Sequence, residues 1–182
     1  MIARLDDFEI SALHEGDAWK TCDFMIANAD RFQRYFPKTL EQNLNPTLSQ
    51  QFVERKMKAY KEQREFLFTL KQTETRQLAG LIYLKNLDWN KKQGEFAYGI
   101  GYTFTGQGLA SRTIKALSQF AFEDLGLYTL HIIVHHSNLS SVKVATSNGF
   151  KWTATLKDEF QPTHGEALDM ELYLKHHGSS CC

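Results

Sequence analysis

Thr105-Gly106-Gln107-Gly108-Leu109-Ala110 is the stretch on which the fold turns. A strand-like run, Gln93 to Tyr102, leads into it, and a helical pattern from Gln107 to Leu125 leaves it. In that helix Ala110, Ile114, Leu117, Ala121 and Leu125 recur at steps of three or four, an apolar stripe suited to a sheet face. Gly126 stops the helix. Five of the eleven glycines fall between Gly94 and Gly108. Glycine weakens strands and helix starts, so the cluster marks either a backbone that must approach a ligand or a tight strand-helix turn.

Outward from this point the pattern alternates. Phe8 to Leu13 reads as a strand, Asp17 to Ala29 as a helix, Arg31 to Pro46 as aromatic and irregular, and Leu48 to Arg64 as a second helix. Glu65 to Leu70 and Gln77 to Leu84 read as a strand pair around the polar turn Thr73-Glu74-Thr75-Arg76. Thr129 to Val134 has the apolar character of a buried central strand. Ser140 to Asn148 is a short helix closed by Gly149, and Phe150 to Lys157 and Ala167 to Leu174 are the last strands. The fold class is α/β, with a mixed central sheet flanked by helices.

The chain has 182 residues, enough for one domain with a real core. We place that domain at residues 1–175 and expect a disordered tail over 176–182. No Pro-rich or Ser/Gly-rich linker divides the chain. No apolar run reaches the ~18 residues that would span a bilayer, and the N-terminus lacks the pattern of a secretory signal. No membrane partner and a cytoplasmic location are expected. The 21 basic and 21 acidic side chains cancel, so the positive field of a nucleic-acid binder is absent and no direct nucleic-acid binding is expected. Cys22, Cys181 and Cys182 form no disulfide framework. The pair Cys181-Cys182 is either a lipidation or redox site or part of a plain terminus.

The first amides of a helix have no internal partners, and with the helix dipole they attract anions. Side chains at 106 and 108 would block such a site. A Walker loop would need Gly-Lys-Ser/Thr, which is missing. A dinucleotide fingerprint would need glycine or alanine at 111, where the chain has Ser111, and a later acid at a strand end. The pyrophosphate of coenzyme A is the remaining candidate.

Here the chain resembles the GNAT N-acetyltransferases, above all the Rim-type branch that acetylates N-terminal amines of ribosomal proteins. The family's cofactor loop runs Arg/Gln-x-x-Gly-x-Gly/Ala. Gly108 and Ala110 match it, Gly106 is a common extra glycine, and Thr105 departs at the first position. Asn138-Leu139-Ser140-Ser141-Val142-Lys143-Val144-Ala145-Thr146-Ser147-Asn148-Gly149-Phe150 is similar to the family's Asn-x-x-Ser-x-x-Val-x-Glu-Lys-x-Gly-Phe, with Thr146 and Ser147 replacing Glu-Lys. Gly94-Glu95-Phe96-Ala97-Tyr98 is similar to the Rim-type Ala-Glu-Ile-Gly-Tyr strand. The likeness is specific from about residue 77 to 174.

The resemblance implies an acetyl-CoA co-substrate, no metal, and a primary amine acceptor, either a protein N-terminus or a small molecule. It assigns the cofactor to Ile100, Gly101 and Tyr102, where a splayed strand would offer free backbone groups to the pantetheine arm. It adds Gly106, Gln107, Gly108, Leu109, Ala110 and Ser111 for the pyrophosphate, and Asn138 for the pantetheine region. Asn138 also suits a helix cap. Glu95 is the candidate base, or a strand glutamate facing solvent. Ser141 is the candidate proton donor or positioning group, or a surface serine. Tyr98 shares the donor role or simply packs. The same fold also suits a non-catalytic acyl-CoA-binding regulatory module. A monomer or a homodimer is expected.

Two clusters carry competing readings. His131, His135 and His136 surround one strand, but adjacent His135 and His136 would point to opposite faces and so make a poor metal site. Phe32, Tyr35 and Phe36 before Pro37 shape either an acceptor pocket or part of the core.

Overall fold

The computed structural model describes residues 1–178. In chain order the elements are β1 (Ala3–Leu5), β2 (Phe8–Ala12), α1 (Ala18–Ala27), α2 (Ala29–Tyr35), α3 (Pro37–Glu41), α4 (Pro46–Lys61), β3 (Phe66–Gln72), β4 (Leu78–Asp88) and β5 (Gln93–Ile100). There follow α5 (Leu109–Glu123), β6 (Thr129–Val134), α6 (Leu139–Ser147), β7 (Lys151–Phe160) and β8 (Leu168–His176). The eight strands hydrogen-bond in the order β1-β2-β3-β4-β5-β6-β8-β7. Two compact units divide them: residues 1–83 with 98–109, and residues 84–97 with 110 onward.

In the first unit, α4 begins where Asn45 accepts a hydrogen bond from Leu48 N at 3.0 Å and Pro46 supplies a preset first turn. Phe52, Val53 and Ala59 form its buried face. The expected irregular stretch from Arg31 to Pro46 is instead largely helical, as α2 and α3. Pro37 disfavours helical backbone at Phe36 and starts the next helix itself, so one path becomes two short helices. Phe32 is buried and packs on Phe24 and Phe36; Phe36, half-buried, stacks on Tyr83, and Tyr35 is exposed.

Strand β3 is buried through Lys71. A lysine in such a strand needs a partner, and Asp17 supplies it: Nζ lies 2.6 Å from Oδ1, both side chains fully buried. Burial pushes the Lys71 ammonium below its ordinary value, against the pull of Asp17.

In the second unit, α5 buries Thr113, Ile114, Leu117, Ser118, Ala121 and Phe122. The expected stripe is therefore shifted: its ends, Ala110 and Leu125, are only half-buried. Gly126, with φ at +70°, ends the helix where only glycine sits without strain. Strand β6 spans the expected residues, but its burial alternates. Leu130, Ile132 and Val134 face the core while Thr129, His131 and Ile133 are half-exposed, as in a sheet with one covered face.

The expected tail from residue 176 is corrected in part. His176 closes β8 opposite Thr129, and His177 N donates to Tyr128 O at 2.8 Å while its ring stacks on Phe122. Cys181 and Cys182 lie outside the described residues.

Candidate active site

The glycine turn is the most sharply defined feature. Gly106 has φ at +79° and Gly108 at +68°, so both occupy the left-handed region that other residues enter only at a cost. This is why the helix begins at Leu109 and not, as expected, at Gln107. A Cβ built on either glycine meets nothing within 4 Å. The two glycines thus serve backbone direction and leave open space in front of the first turn of α5. Gln107 is exposed, and Leu109 is 1% exposed and anchors the helix start. The amides of that turn are the ones a helix leaves without internal partners. The turn therefore fits the diphosphate of coenzyme A: an open approach, main-chain donors, and the positive end of a 15-residue helix.

Ser111, expected at the cofactor, is held by α6. Asn148 Nδ2 donates to Ser111 Oγ at 2.9 Å and to Val144 O at 2.8 Å, and Ser147 Oγ lies 3.2 Å from Ser111 Oγ. Asn148 is 4% exposed. At the other end of α6, Asn138 Oδ1 accepts from Ser141 N at 3.3 Å and from Ser140 Oγ at 3.0 Å, so the capping reading of Asn138 describes its geometry. Ser141 sits half-buried in that first turn.

The end of β5 departs from expectation. Ile100 closes the strand and Tyr102 opens a 3₁₀ turn, Tyr102–Phe104. The backbone at these residues was expected to be free, but several groups are bonded within the protein. Gly101 N donates to Ala79 O at 2.8 Å, Tyr102 N to Asn28 Oδ1 at 2.7 Å, and Arg31 Nη1 to Ile100 O at 3.3 Å. Asn28 escaped the sequence reading because residues 17–29 looked like one continuous helix, and Arg31 because it opened a stretch read as irregular. The helix breaks at Asn28, whose φ of −117° and ψ of 19° separate α1 from α2. Asn28, Arg31 and Tyr102 also line a hollow of about 360 Å³.

On β5, Tyr98 and Gly99 are half-buried, and Glu95 is 9% exposed. The β5–β6 register runs from Gln93↔Thr129 to Phe96↔Ile132, while β5 continues to Ile100 and β6 to Val134. Both Glu95 oxygens are engaged: Oε1 lies 3.2 Å from Lys85 Nζ, and Oε2 accepts from Asn86 Nδ2 at 2.7 Å. His131 is the strand neighbour of Glu95. Burial pushes the His131 imidazole below its ordinary value, the Glu95 carboxylate pulls the other way, and His176 adds to the depression. The sequence reading missed Lys85 and Asn86, because only the strand pairing brings them to Glu95.

His135 and His136 do not point to opposite strand faces. The strand ends at Val134, and in the turn that follows the two rings lie 4.2 Å apart. Among the described residues no group of three or more His, Cys, Asp or Glu side chains could hold a metal ion. Among the same residues no helix is long and apolar enough to cross a membrane.

Residues 8–151 match the acetyltransferase (GNAT) domain family. The spermidine N(1)-acetyltransferase of Escherichia coli strain K12 is 32% identical over 82 residues, 45% of this chain and 44% of that relative, so the match spans less than half of either. A ribosomal-protein-S5-alanine acetyltransferase from Vibrio fischeri superimposes with a TM-score of 0.90 at 17% identity, covering 97% of this chain and 96% of the other. RimL, a ribosomal L7/L12 alpha-N-protein acetyltransferase solved with coenzyme A, superimposes with a TM-score of 0.89 at 16% identity, covering 96% and 97%. Identities this low speak for the fold.

Proposed function

This chain belongs to the GNAT acetyltransferase family, and from that premise we propose that it transfers acetyl from acetyl-CoA to a primary amine, with a protein N-terminus as the preferred acceptor. The observation that carries the reading is the glycine turn: two left-handed glycines with open space before the first turn of α5. Two of the structural neighbours are named as ribosomal-protein acetyltransferases, which supports the N-terminal acceptor. The spermidine acetyltransferase relative supports a small-molecule amine as the second reading.

Acetyl-CoA supplies the activated acyl group as a thioester. The chain's part is to bind, orient and move protons. Main-chain N–H groups of Gly106, Gln107, Gly108, Leu109, Ala110 and Ser111 hold the diphosphate. Ile100, Gly101, Tyr102 and Asn138 lie along the pantetheine arm, through contacts other than the amides already bonded within the protein. Glu95, fixed by Lys85 and Asn86, takes the amine proton through a water. That suffices for an α-amine, with a pKa of about 7.7–8.0 against about 10.4 for lysine. Ser141 Oγ, aided by Tyr98, delivers the proton that the departing sulfur takes up.

The test is release of free CoA with a panel of N-terminal peptides, polyamines and aminoglycosides, with Glu95→Gln alongside. Peptide-dependent turnover that Glu95→Gln lowers at least about a hundredfold is expected, the lower range for a lost acid–base group. Binding of acetyl-CoA without turnover on any acceptor, and no effect of Glu95→Gln, would replace this reading with a regulatory acyl-CoA-binding module.

A further inference from the structure

The junction between α1 and α2 grips the end of β5 from the side. Asn28 Oδ1 accepts from Tyr102 N at 2.7 Å, and Arg31 Nη1 donates to Ile100 O at 3.3 Å. Asn28 is itself fixed, because its Nδ2 donates to Phe24 O at 2.8 Å. There is little slack between them. A Cβ on Gly101 would lie 3.0 Å from the Phe24 ring and 3.6 Å from Asn28 Nδ2. Beyond Tyr102 the chain is stiff. Phe104 N donates to Gly101 O at 2.9 Å, Thr105 N and Oγ1 both bond Tyr102 O, and Phe104 packs edge-on against Phe8 at 5.7 Å. A short, internally bonded turn transmits direction, so the heading of Tyr102 fixes the heading of Gly106.

We propose that Asn28 and Arg31 are positioning residues for acetyl-CoA: they aim the end of β5, and through the 102–105 turn they aim the glycine backbone at 106–108. The inference rests on the functional reading above, in which acetyl-CoA lies along residues 100–111. Tyr102 N is then no donor to the substrate. It is the point by which the helix junction steers the strand. Neither side chain needs to touch the reacting atoms.

The test uses Asn28→Ala, Asn28→Asp, Arg31→Ala and Arg31→Lys in the full chain. It reads acetyl-CoA affinity by calorimetry, KM and kcat separately, and amide hydrogen exchange at residues 101–108 without ligand. Each alanine variant is expected to weaken acetyl-CoA about tenfold, the scale of one lost hydrogen bond. KM for acetyl-CoA should rise more than kcat falls, and exchange at 102–108 should quicken. Asn28→Asp keeps an oxygen facing Tyr102 N and is expected to restore most of the affinity. Should the alanine variants not fold, the same comparison between wild type, Asn28→Asp and Arg31→Lys decides, with Arg31→Lys the weaker binder. Unchanged affinity and exchange in folded variants would overturn the inference. So would tighter binding by Asn28→Ala, which would make Asn28 a competitor for Tyr102 N. If the wild type itself fails to bind acetyl-CoA, the functional reading falls first.

Discussion

Asn148 Nδ2 donates to Ser111 Oγ at 2.9 Å, tying the last residue of the α6 cap to the first turn of α5. The same amide bonds Val144 O, so one buried side chain fixes two helix ends. Asn148→Ala removes both bonds and is expected to cost about 1–2 kcal/mol. Urea unfolding gives the value. Acetyl-CoA affinity should fall with it, because the start of α5 loses its brace.

Gly108 and Gly126 share left-handed backbone and open surroundings, at opposite ends of α5. Alanine at either position should cost a similar amount of stability, about 1–2 kcal/mol. Only Gly108→Ala places a methyl group where the diphosphate is proposed to lie. Calorimetry should therefore show acetyl-CoA binding weakened more than about tenfold in Gly108→Ala and little altered in Gly126→Ala.

Lys71 and Asp17 form a fully buried ion pair at 2.6 Å. Removing one partner leaves the other charge buried with only His14 beside it, so Lys71→Met is expected to destabilise by about 3 kcal/mol, the low end for a broken buried pair. The double variant Lys71→Met with Asp17→Leu should recover much of that loss in a urea melt, since neither charge remains.

His131 gives stability a pH dependence of known sign. Its folded value lies below the ordinary 6.5. As pH falls below 6.5, the unfolded chain takes up a proton that the folded chain refuses. The contribution is full above 6.5 and is lost as pH drops through the depressed folded value. Glu95 and His176 act on it electrostatically, and Lys85 is paired with Glu95. Unfolding free energies from pH 8 to pH 5 should fall more steeply for wild type than for His131→Gln.

Periodic and strongly punctuated segments were legible in the sequence. Strand β6 spans the residues its apolar run marked, and α5 and α6 end at Glu123 and Ser147, shortly before the glycines expected to stop them. What was hidden depended on contacts across the chain. Asn28 reads as one more helical residue until Tyr102 N is found on its oxygen. Lys71 fell just past the expected end of its strand at Leu70, and its pairing with Asp17 joins positions far apart in sequence. Glu95 was picked out by its motif, but Lys85 and Asn86 reach it only through strand pairing. The resemblance implied free backbone at 100–102, but Ala79 O, Asn28 and Arg31 bond it, and contacts across the chain leave no periodic trace.

In the proposed function, main-chain N–H groups at residues 106–111 meet a diphosphate. Backbone ¹H–¹⁵N spectra titrated with coenzyme A, and separately with acetylpantetheine, read those amides one by one. Coenzyme A is expected to shift Gly106 through Ser111 strongly, and acetylpantetheine, lacking the diphosphate, to leave them nearly unmoved. Saturating coenzyme A with those six resonances in place would contradict that contact.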